Sequence, residues 1–149
     1  MRAYLDLCCL KRPFDLQDQP LVRLQTEAVL SIQAMAGEAV DLIRSDALLL
    51  ENSLNPVQGR REAIDLWLSQ GAVAELPEPD LQRRLQELTA LGFKNFDAFH
   101  VASAELAGAS VFVTVDLGIL RVAARHESGI NLRFADPIQF VEELSQWKP

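Results

Sequence analysis

The sequence predicts an α/β fold with a central parallel sheet and helices on both faces. Strand-like and helix-like segments alternate along the chain, and parallel strands require helical crossovers of this kind. The segment VFVTVD (111–116) is a run of β-branched and aromatic residues, which is typical of a central parallel strand. The chain has 149 residues, the size of one ordinary domain, so we expect a single domain over residues 1–149.

The first strand and the first long helix are predicted in the N-terminal quarter of the chain. RAYLDLC (2–8) predicts the strand. PLVRLQTEAVLSIQAMAGE predicts the helix because its apolar residues recur at helical spacing and Gly37 follows as a stop. The recurring apolar positions are Leu21, Leu24, Ala28, Ile32 and Met35.

A second strand and two further helices follow. AVDLIRS predicts the strand, and Ser45 or Asp46 can accept hydrogen bonds from the free amides of a short helix, DALLLENSL. Asn55 and Pro56 then predict a cap and a first-turn proline for a helix that reaches Gly71.

The middle of the chain predicts a short strand and two helices. AVAEL (72–76) has strand composition. The next helix runs from about Pro79 to Leu91 and ends at Gly92. FDAFHVASAELAG (96–108) is apolar on most sides, so we expect that helix to be buried.

The C-terminal part completes the alternation. SVFVTVD predicts the central strand, DLGILRVAARHE a helix and INLRF the last strand. DPIQFVEELSQW predicts a closing helix, with Asp136 as its cap and Pro137 in its first turn.

Composition excludes several classes of protein. The net charge of −7 counts against a protein that coats nucleic acid, because such binding depends on Lys and Arg. No apolar stretch reaches the roughly 18 residues needed to span a bilayer, and no signal-peptide pattern is present, so we expect a cytoplasmic protein without membrane contact. Cys8 and Cys9 are neighbours on a predicted strand and would point to opposite faces, which predicts no disulfide.

Four acidic residues occupy unusual positions. Ligands of open α/β sheets bind beyond the carboxyl ends of strands, and Asp6 and Asp116 lie at or near such ends. Glu51 and Asp97 interrupt apolar helix faces, where a charge is costly unless something offsets its desolvation. Each acid also has a simpler explanation. Asp97 and Asp116 can be N-caps, Glu51 a rim residue, and Asp6 a carboxylate bonded to loop amides.

The four acids together predict a metal site. Within about 6 Å of each other at an effective dielectric constant of about 20, each ionised pair would repel by roughly 3 kcal/mol, so the cluster would require a cation or protons. Carboxylate oxygens with no Cys pair or His cluster nearby favour Mg²⁺ or Mn²⁺. His100 follows Asp97 on the same side of the helix. It either bonds a ligand or substrate, or is a core histidine with a satisfied ring nitrogen.

These segments resemble a known family. YLD, the Glu of LLLEN, FDAFHVASA and VFVTVD, in this order and spacing, resemble the four acidic motifs of the PIN domain, the ribonuclease fold of VapC-type toxins. DAFHVASA followed by VTVD is the most specific part. The resemblance implies a three-layer α/β/α fold and a role for Thr114 in orienting the last aspartate. The implied acidic site consists of Asp6, Glu51, Asp97 and Asp116. LGIL (117–120) lacks the further acidic or amide residue that many members carry there.

The resemblance also implies an activity and partners. We expect a Mg²⁺- or Mn²⁺-dependent endoribonuclease that cleaves single-stranded RNA, with Asp6, Asp97 and Asp116 around the ion and Glu51 binding it directly or through water. Homodimers are common in the family, and a small antitoxin protein inserts a basic or aromatic segment into the acidic cleft. Basic residues that occur in pairs are candidates for guiding the RNA backbone. The simpler explanation of these pairs is ordinary solvated surface. The candidates are Lys11, Arg12, Arg60 and Arg61.

Two other functions share part of this pattern. A phospho-acceptor signalling module also has aspartates at strand ends, but it needs a lysine after the last strand, and INLRFADP offers none. A PIN-like interaction module would keep the acids only as caps and would not cleave RNA. Saturable Mn²⁺ binding distinguishes an enzyme from such a module.

Overall fold

A computed structural model describes residues 1–146 and has the predicted architecture, an α/β fold with an all-parallel sheet. Within this part of the chain the sheet has four strands in the order β2-β1-β3-β4. The strands are β1 (Arg2–Leu5), β2 (Asp41–Leu42), β3 (Val111–Val113) and β4 (Arg133–Ala135). The two central strands, β1 and β3, pair over three residues each, and each brings the residue after it to the same edge of the sheet.

With one exception near the N-terminus, the helices begin and end close to the predicted positions. They are α1 (Leu7–Lys11), α2 (Pro20–Ala34), α3 (Asp46–Ser53), α4 (Gln58–Leu68), α5 (Glu78–Leu91), α6 (Asn95–Leu106), α7 (Leu117–Arg125) and α8 (Pro137–Gln146). Ser45 caps α3 by accepting the Leu48 N–H, and Gly92 ends α5 with a left-handed φ of 116°. The predicted last residue of the closing helix, Trp147, lies outside the described residues. None of the helices in residues 1–146 combines the length and the apolar composition that a membrane span needs.

An aromatic row on one face of the sheet supports α6. Tyr4, Phe112 and Phe134 occupy matched positions on β1, β3 and β4, and the Tyr4 and Phe112 rings stack with centroids 5.2 Å apart. Tyr4 also meets His100 of α6 edge to face, so α6 packs on this face together with α5 and α3. The other helical layer includes the packed pair α2 and α8. The three-layer arrangement is therefore confirmed.

The predicted first strand is too long at its C-terminal end. Residues 7 and 8 belong to α1, because Asp6 accepts the Leu7 N–H with its side chain and starts a helix there. Cys8 and Cys9 therefore lie on a helix and not on a strand, and both are free thiols. Leu7, Cys9 and Leu10 are buried, and such a short apolar helix resembles a strand in sequence.

Two smaller predictions are also wrong. AVAEL is not a strand, since Val73 alone forms a bridge, to Arg44. The strand on this side of the sheet, β2, is only two residues long and gives AVAEL little to pair with. Pro56 lies outside α4, whose cap position is Val57. Asn55 instead accepts the Val57 N–H in a local turn.

Candidate metal centre

Asp6 is held rigidly beyond the end of β1. It is 4% exposed, and its backbone N–H still donates to the Val113 carbonyl of β3 at 2.9 Å. Its Oδ1 accepts the Leu7 N–H at 2.8 Å, and its Oδ2 accepts the Thr114 hydroxyl at 2.8 Å. The Cys8 thiol lies 3.2 Å from the same Oδ2. These contacts fix the carboxylate at the edge of the sheet where ligands bind.

Thr114 connects the two aspartates at the strand ends. Its buried hydroxyl donates to Asp6 and accepts the backbone N–H of Asp116 at 3.0 Å. Asp116 is exposed and is the N-cap of α7, with Oδ1 accepting the N–H groups of Gly118 at 2.7 Å and Ile119 at 3.2 Å. The simpler explanation of Asp116 as a cap is therefore correct for one of its oxygens, and it does not exclude a role for the other.

Asp97 is the acid whose electrostatic environment is most unusual. It lies half-buried in the first turn of α6, and the cap position of that helix is Lys94, so Asp97 is not an N-cap. Burial, the largest cause, and the charges of Asp6 and Asp116 together raise the pKa of Asp97 from 3.8 to about 6. Glu51 contributes in the same direction, while His100 opposes the shift. The carboxylates therefore act on one another as a cluster.

Glu51 and His100 complete the inner part of the site. The His100 Nε2 lies 3.0 Å from Glu51 Oε1 and 3.9 Å from Asp6 Oδ1. One ligand atom from each of Asp6, Glu51 and His100 lies within 4.8 Å of the others, a group that could hold a metal ion. His100 is fully buried, and its other ring nitrogen lies 2.6 Å from the Tyr4 hydroxyl.

An open cavity connects the outer acids. It has a volume of about 510 Å³, and Glu51, Asp97 and Asp116 line it. Lys94 and Phe96 line the same cavity. Sequence reasoning missed both, although they flank the most specific motif. An exposed cation and a half-buried aromatic ring thus lie beside the acidic cluster.

The four basic residues predicted to guide RNA do not line this cavity. Arg12 and Arg60 both contact Asp15, with nitrogen–oxygen distances of 3.0 and 3.5 Å. Arg61 donates to a backbone carbonyl in the turn before α4 at 2.7 Å, and Lys11 ends α1. The three arginines therefore already bind groups of the protein, which reduces the charge they offer to an outside ligand.

The donor set of this centre fits a hard divalent cation. No Lys or Arg ion pair within residues 1–146 involves Asp6, Glu51, Asp97 or Asp116. Carboxylate oxygens are the ligands that Mg²⁺ and Mn²⁺ prefer. A bound cation would relieve the repulsion that raises the pKa of Asp97.

Comparison with known proteins identifies the fold. VapBC-1 from nontypeable Haemophilus influenzae, a structure at 2.2 Å resolution, matches with a TM-score of 0.62 and 14% sequence identity over 92% of this chain and 98% of that chain. No protein-family model matches the sequence, and no curated protein matches it. Likeness at this identity establishes the fold alone, and the fold is VapC/PIN-like, as the sequence motifs imply.

Proposed function

We propose that this chain is a metal-dependent ribonuclease of the VapC type, which hydrolyses phosphodiester bonds of single-stranded RNA. The observation that carries the proposal is the convergence of four carboxylates from β1, α3, α6 and the end of β3, without a Lys or Arg partner in the described part of the chain. A fold rarely concentrates unpaired negative charge unless a cation or a reaction offsets the cost.

The proposed site would bind Mg²⁺ or Mn²⁺ through Asp6, Asp97 and Asp116, with Glu51 binding directly or through water. When bound, such an ion lowers the pKa of a coordinated water and neutralises charge that develops on phosphate oxygens. Asp6 is preorganised for this role because the Leu7 amide and the Thr114 hydroxyl fix its orientation before any ligand arrives.

The cavity is suited to a single strand. Lys94 can contact a phosphate next to the acidic centre, and Phe96 can stack on a base that a duplex would keep paired. Lys11, Arg12, Arg60 and Arg61 remain proposed contacts for more distant parts of the RNA backbone. In this proposal Lys94 and Phe96, at the start of α6, contact the phosphate and the base nearest the reacting bond.

We also propose a protein partner, a small antitoxin that covers the acidic cavity, and a homodimeric state. The likeness to VapBC-1 supports an antitoxin, and a basic or aromatic segment would complement the acids. Exposed leucines close in sequence to Glu51 or Asp116 offer an apolar surface for such a partner, with Leu50 at 52%, Leu54 at 65% and Leu117 at 63% exposure. A basic antitoxin segment in the cavity would also block RNA.

The activity is tested by cleavage of single-stranded RNA in Mg²⁺ or Mn²⁺. We expect cleavage to stop with a chelator and to fall by about 100-fold or more in Asp6→Asn and Asp97→Asn, the effect expected for loss of a preorganised electrostatic group. Asp18→Asn, a change at an exposed aspartate outside the cavity, is the matched control and should cleave normally. Activity that survives both variants and the chelator would refute the proposal.

A second candidate function is a PIN-like interaction module without catalysis. The capping bonds of Asp6 and Asp116 favour it, because both carboxylates have structural roles without a metal. This candidate predicts no saturable Mn²⁺ binding and no RNA cleavage, whereas binding of an antitoxin-like peptide would persist.

A further inference from the structure

A buried row of polar groups runs from the cap of α3 to the acidic centre. The Ser45 Oγ lies 2.6 Å from the Tyr4 hydroxyl, which lies 2.6 Å from His100 Nδ1. On the other side of the ring, His100 Nε2 lies 3.0 Å from Glu51 Oε1. Ser45, Tyr4 and His100 are each 0% exposed, so solvent does not compete for these hydrogen bonds.

The direction of the hydrogen bonds follows from the protein groups at the start of the row. The Leu48 N–H donates to Ser45 Oγ at 3.1 Å, so the Ser45 hydroxyl accepts there and is free to donate to Tyr4. The Tyr4 phenol carries one hydrogen at neutral pH, because phenols ordinarily lose it only at about pH 10. With its oxygen accepting from Ser45, Tyr4 donates that proton to His100 Nδ1.

For a neutral imidazole, the contact on the far side of the ring favours the same direction. A neutral imidazole that accepts at Nδ1 carries its hydrogen on Nε2, where the Glu51 carboxylate can accept it. In the opposite direction, the Ser45 hydroxyl hydrogen would have no acceptor among the described residues. Two lone pairs would also face each other between His100 and Glu51. The distances allow both directions, and the count of donors and acceptors favours the first, because it gives each hydrogen an acceptor.

We propose that Ser45 and Tyr4 hold His100 in the Nε2–H tautomer, which makes His100 a positioning residue that orients Glu51 and not a ligand of the metal. The role of Glu51 in this inference rests on the proposed function. The tautomer does not, because it is a property of the metal-free protein. Of the three residues that could hold a metal at the inner site, Asp6 and Glu51 would then supply the ligands.

The tautomer can be measured directly by NMR with ¹⁵N-labelled histidine. The chain contains two histidines. In a His126→Gln variant all histidine signals therefore come from His100, and comparison with the unmodified protein controls for a change of fold. We expect a protonated Nε2 and an unprotonated Nδ1 in the metal-free protein, unchanged when Mg²⁺ is added to saturation. An Nδ1–H tautomer in the metal-free protein, or transfer of the hydrogen to Nδ1 on Mg²⁺ addition, would overturn the inference.

Variants test the positioning role separately. Tyr4→Phe removes the donor to Nδ1, so we expect His100 to populate both tautomers and Mn²⁺ affinity to fall by about 10-fold, the low end of the effect of outer-shell partners. His100→Gln keeps an N–H donor for Glu51 and should bind Mn²⁺ better than His100→Leu. Equal losses in the two His100 variants would contradict the positioning role. Absence of Mn²⁺ binding in the unmodified protein would instead refute the proposed function. The NMR measurement would still decide the tautomer of His100.

Discussion

The two ends of α6 each carry an acidic residue, and the protein treats them in opposite ways. Glu105, in the last turn, receives two bonds from Arg84, with Nε–Oε1 at 2.8 Å and Nη2–Oε2 at 3.0 Å. It also accepts the Asn131 N–H at 3.1 Å. Asp97, in the first turn, has no Lys or Arg ion pair within residues 1–146 and lies among other acids. The charge of Glu105 is therefore paired with a fixed arginine, whereas the charge of Asp97 has no Lys or Arg partner in the described part of the chain.

The helix itself would predict the reverse. The N-terminal end of a helix stabilises a negative charge and the C-terminal end destabilises it, so the ionised carboxylate of Asp97 should be more stable than that of Glu105. Its pKa is nevertheless raised to about 6, because burial and the neighbouring carboxylates outweigh the helix dipole. A carboxylate that is destabilised at a favourable helix position is therefore a stronger sign of function than a buried acid with a fixed arginine.

The largest expected effect on stability is at the paired end. Glu105→Gln leaves Arg84 partly buried without its bidentate partner, so we expect the free energy of unfolding to fall by about 2 kcal/mol, below the roughly 3–5 kcal/mol of a fully buried pair. Denaturant unfolding measures this, and RNA cleavage per folded molecule should not change. A loss under about 0.5 kcal/mol would show that the Arg84–Glu105 pair contributes little.

A substitution at Asp97, the unpaired end of α6, should change the free energy of unfolding in the opposite direction. Asp97→Asn removes one charge from the acidic cluster at nearly constant volume, so we expect the metal-free protein at neutral pH to gain about 1 kcal/mol in free energy of unfolding. The measurement is denaturant unfolding in the presence of a chelator. Asp18→Asn is the exposed control, with a change expected within about 0.5 kcal/mol. If Asp97→Asn were destabilising, the repulsion described here would be absent.

The smallest effect is a change in how the free energy of unfolding depends on pH in Asp97→Asn. The pKa of Asp97 is about 6 in the folded protein and 3.8 as its ordinary value, so the folded state binds more protons between these limits. The contribution of Asp97 to stability is therefore present below about pH 4 and is lost as the pH rises through 6. Unfolding free energies measured without metal from pH 4 to 7 should fall less, or rise more, in Asp97→Asn. Identical slopes in the two proteins would contradict the raised pKa.

Most of the fold was predictable because local signals determine it. Ser45, Gly92 and Asp136 each mark a helix end through a cap that acts within a few residues. The errors occurred where a local signal was ambiguous. The buried residues of α1 look like a strand until Asp6 starts the helix, and AVAEL has strand composition but little neighbouring strand to pair with.

The candidate site was predictable in part. Asp6 and Asp116 follow from the geometry of parallel strands, and Asp97 from a charge placed in an apolar helix. The contacts of Tyr4 with Ser45 and His100 could not be predicted, since they join positions 41 and 96 residues apart and depend on how α3 and α6 pack on β1. Lys94 was missed because an exposed lysine carries no local signal of the cavity beside it.

Calorimetric titration with Mn²⁺ of the unmodified protein, Asp97→Asn and Glu105→Gln shows whether the unpaired acids bind a metal ion. The contrast between the two ends of α6 predicts saturable binding in the unmodified protein and in Glu105→Gln. In Asp97→Asn, which loses a proposed direct ligand, the affinity should fall by at least about 100-fold, the upper end of the effect of outer-shell partners. Absence of saturable heat in the unmodified protein, or equal affinity in Asp97→Asn, would contradict the claim that the unpaired acids form a metal centre.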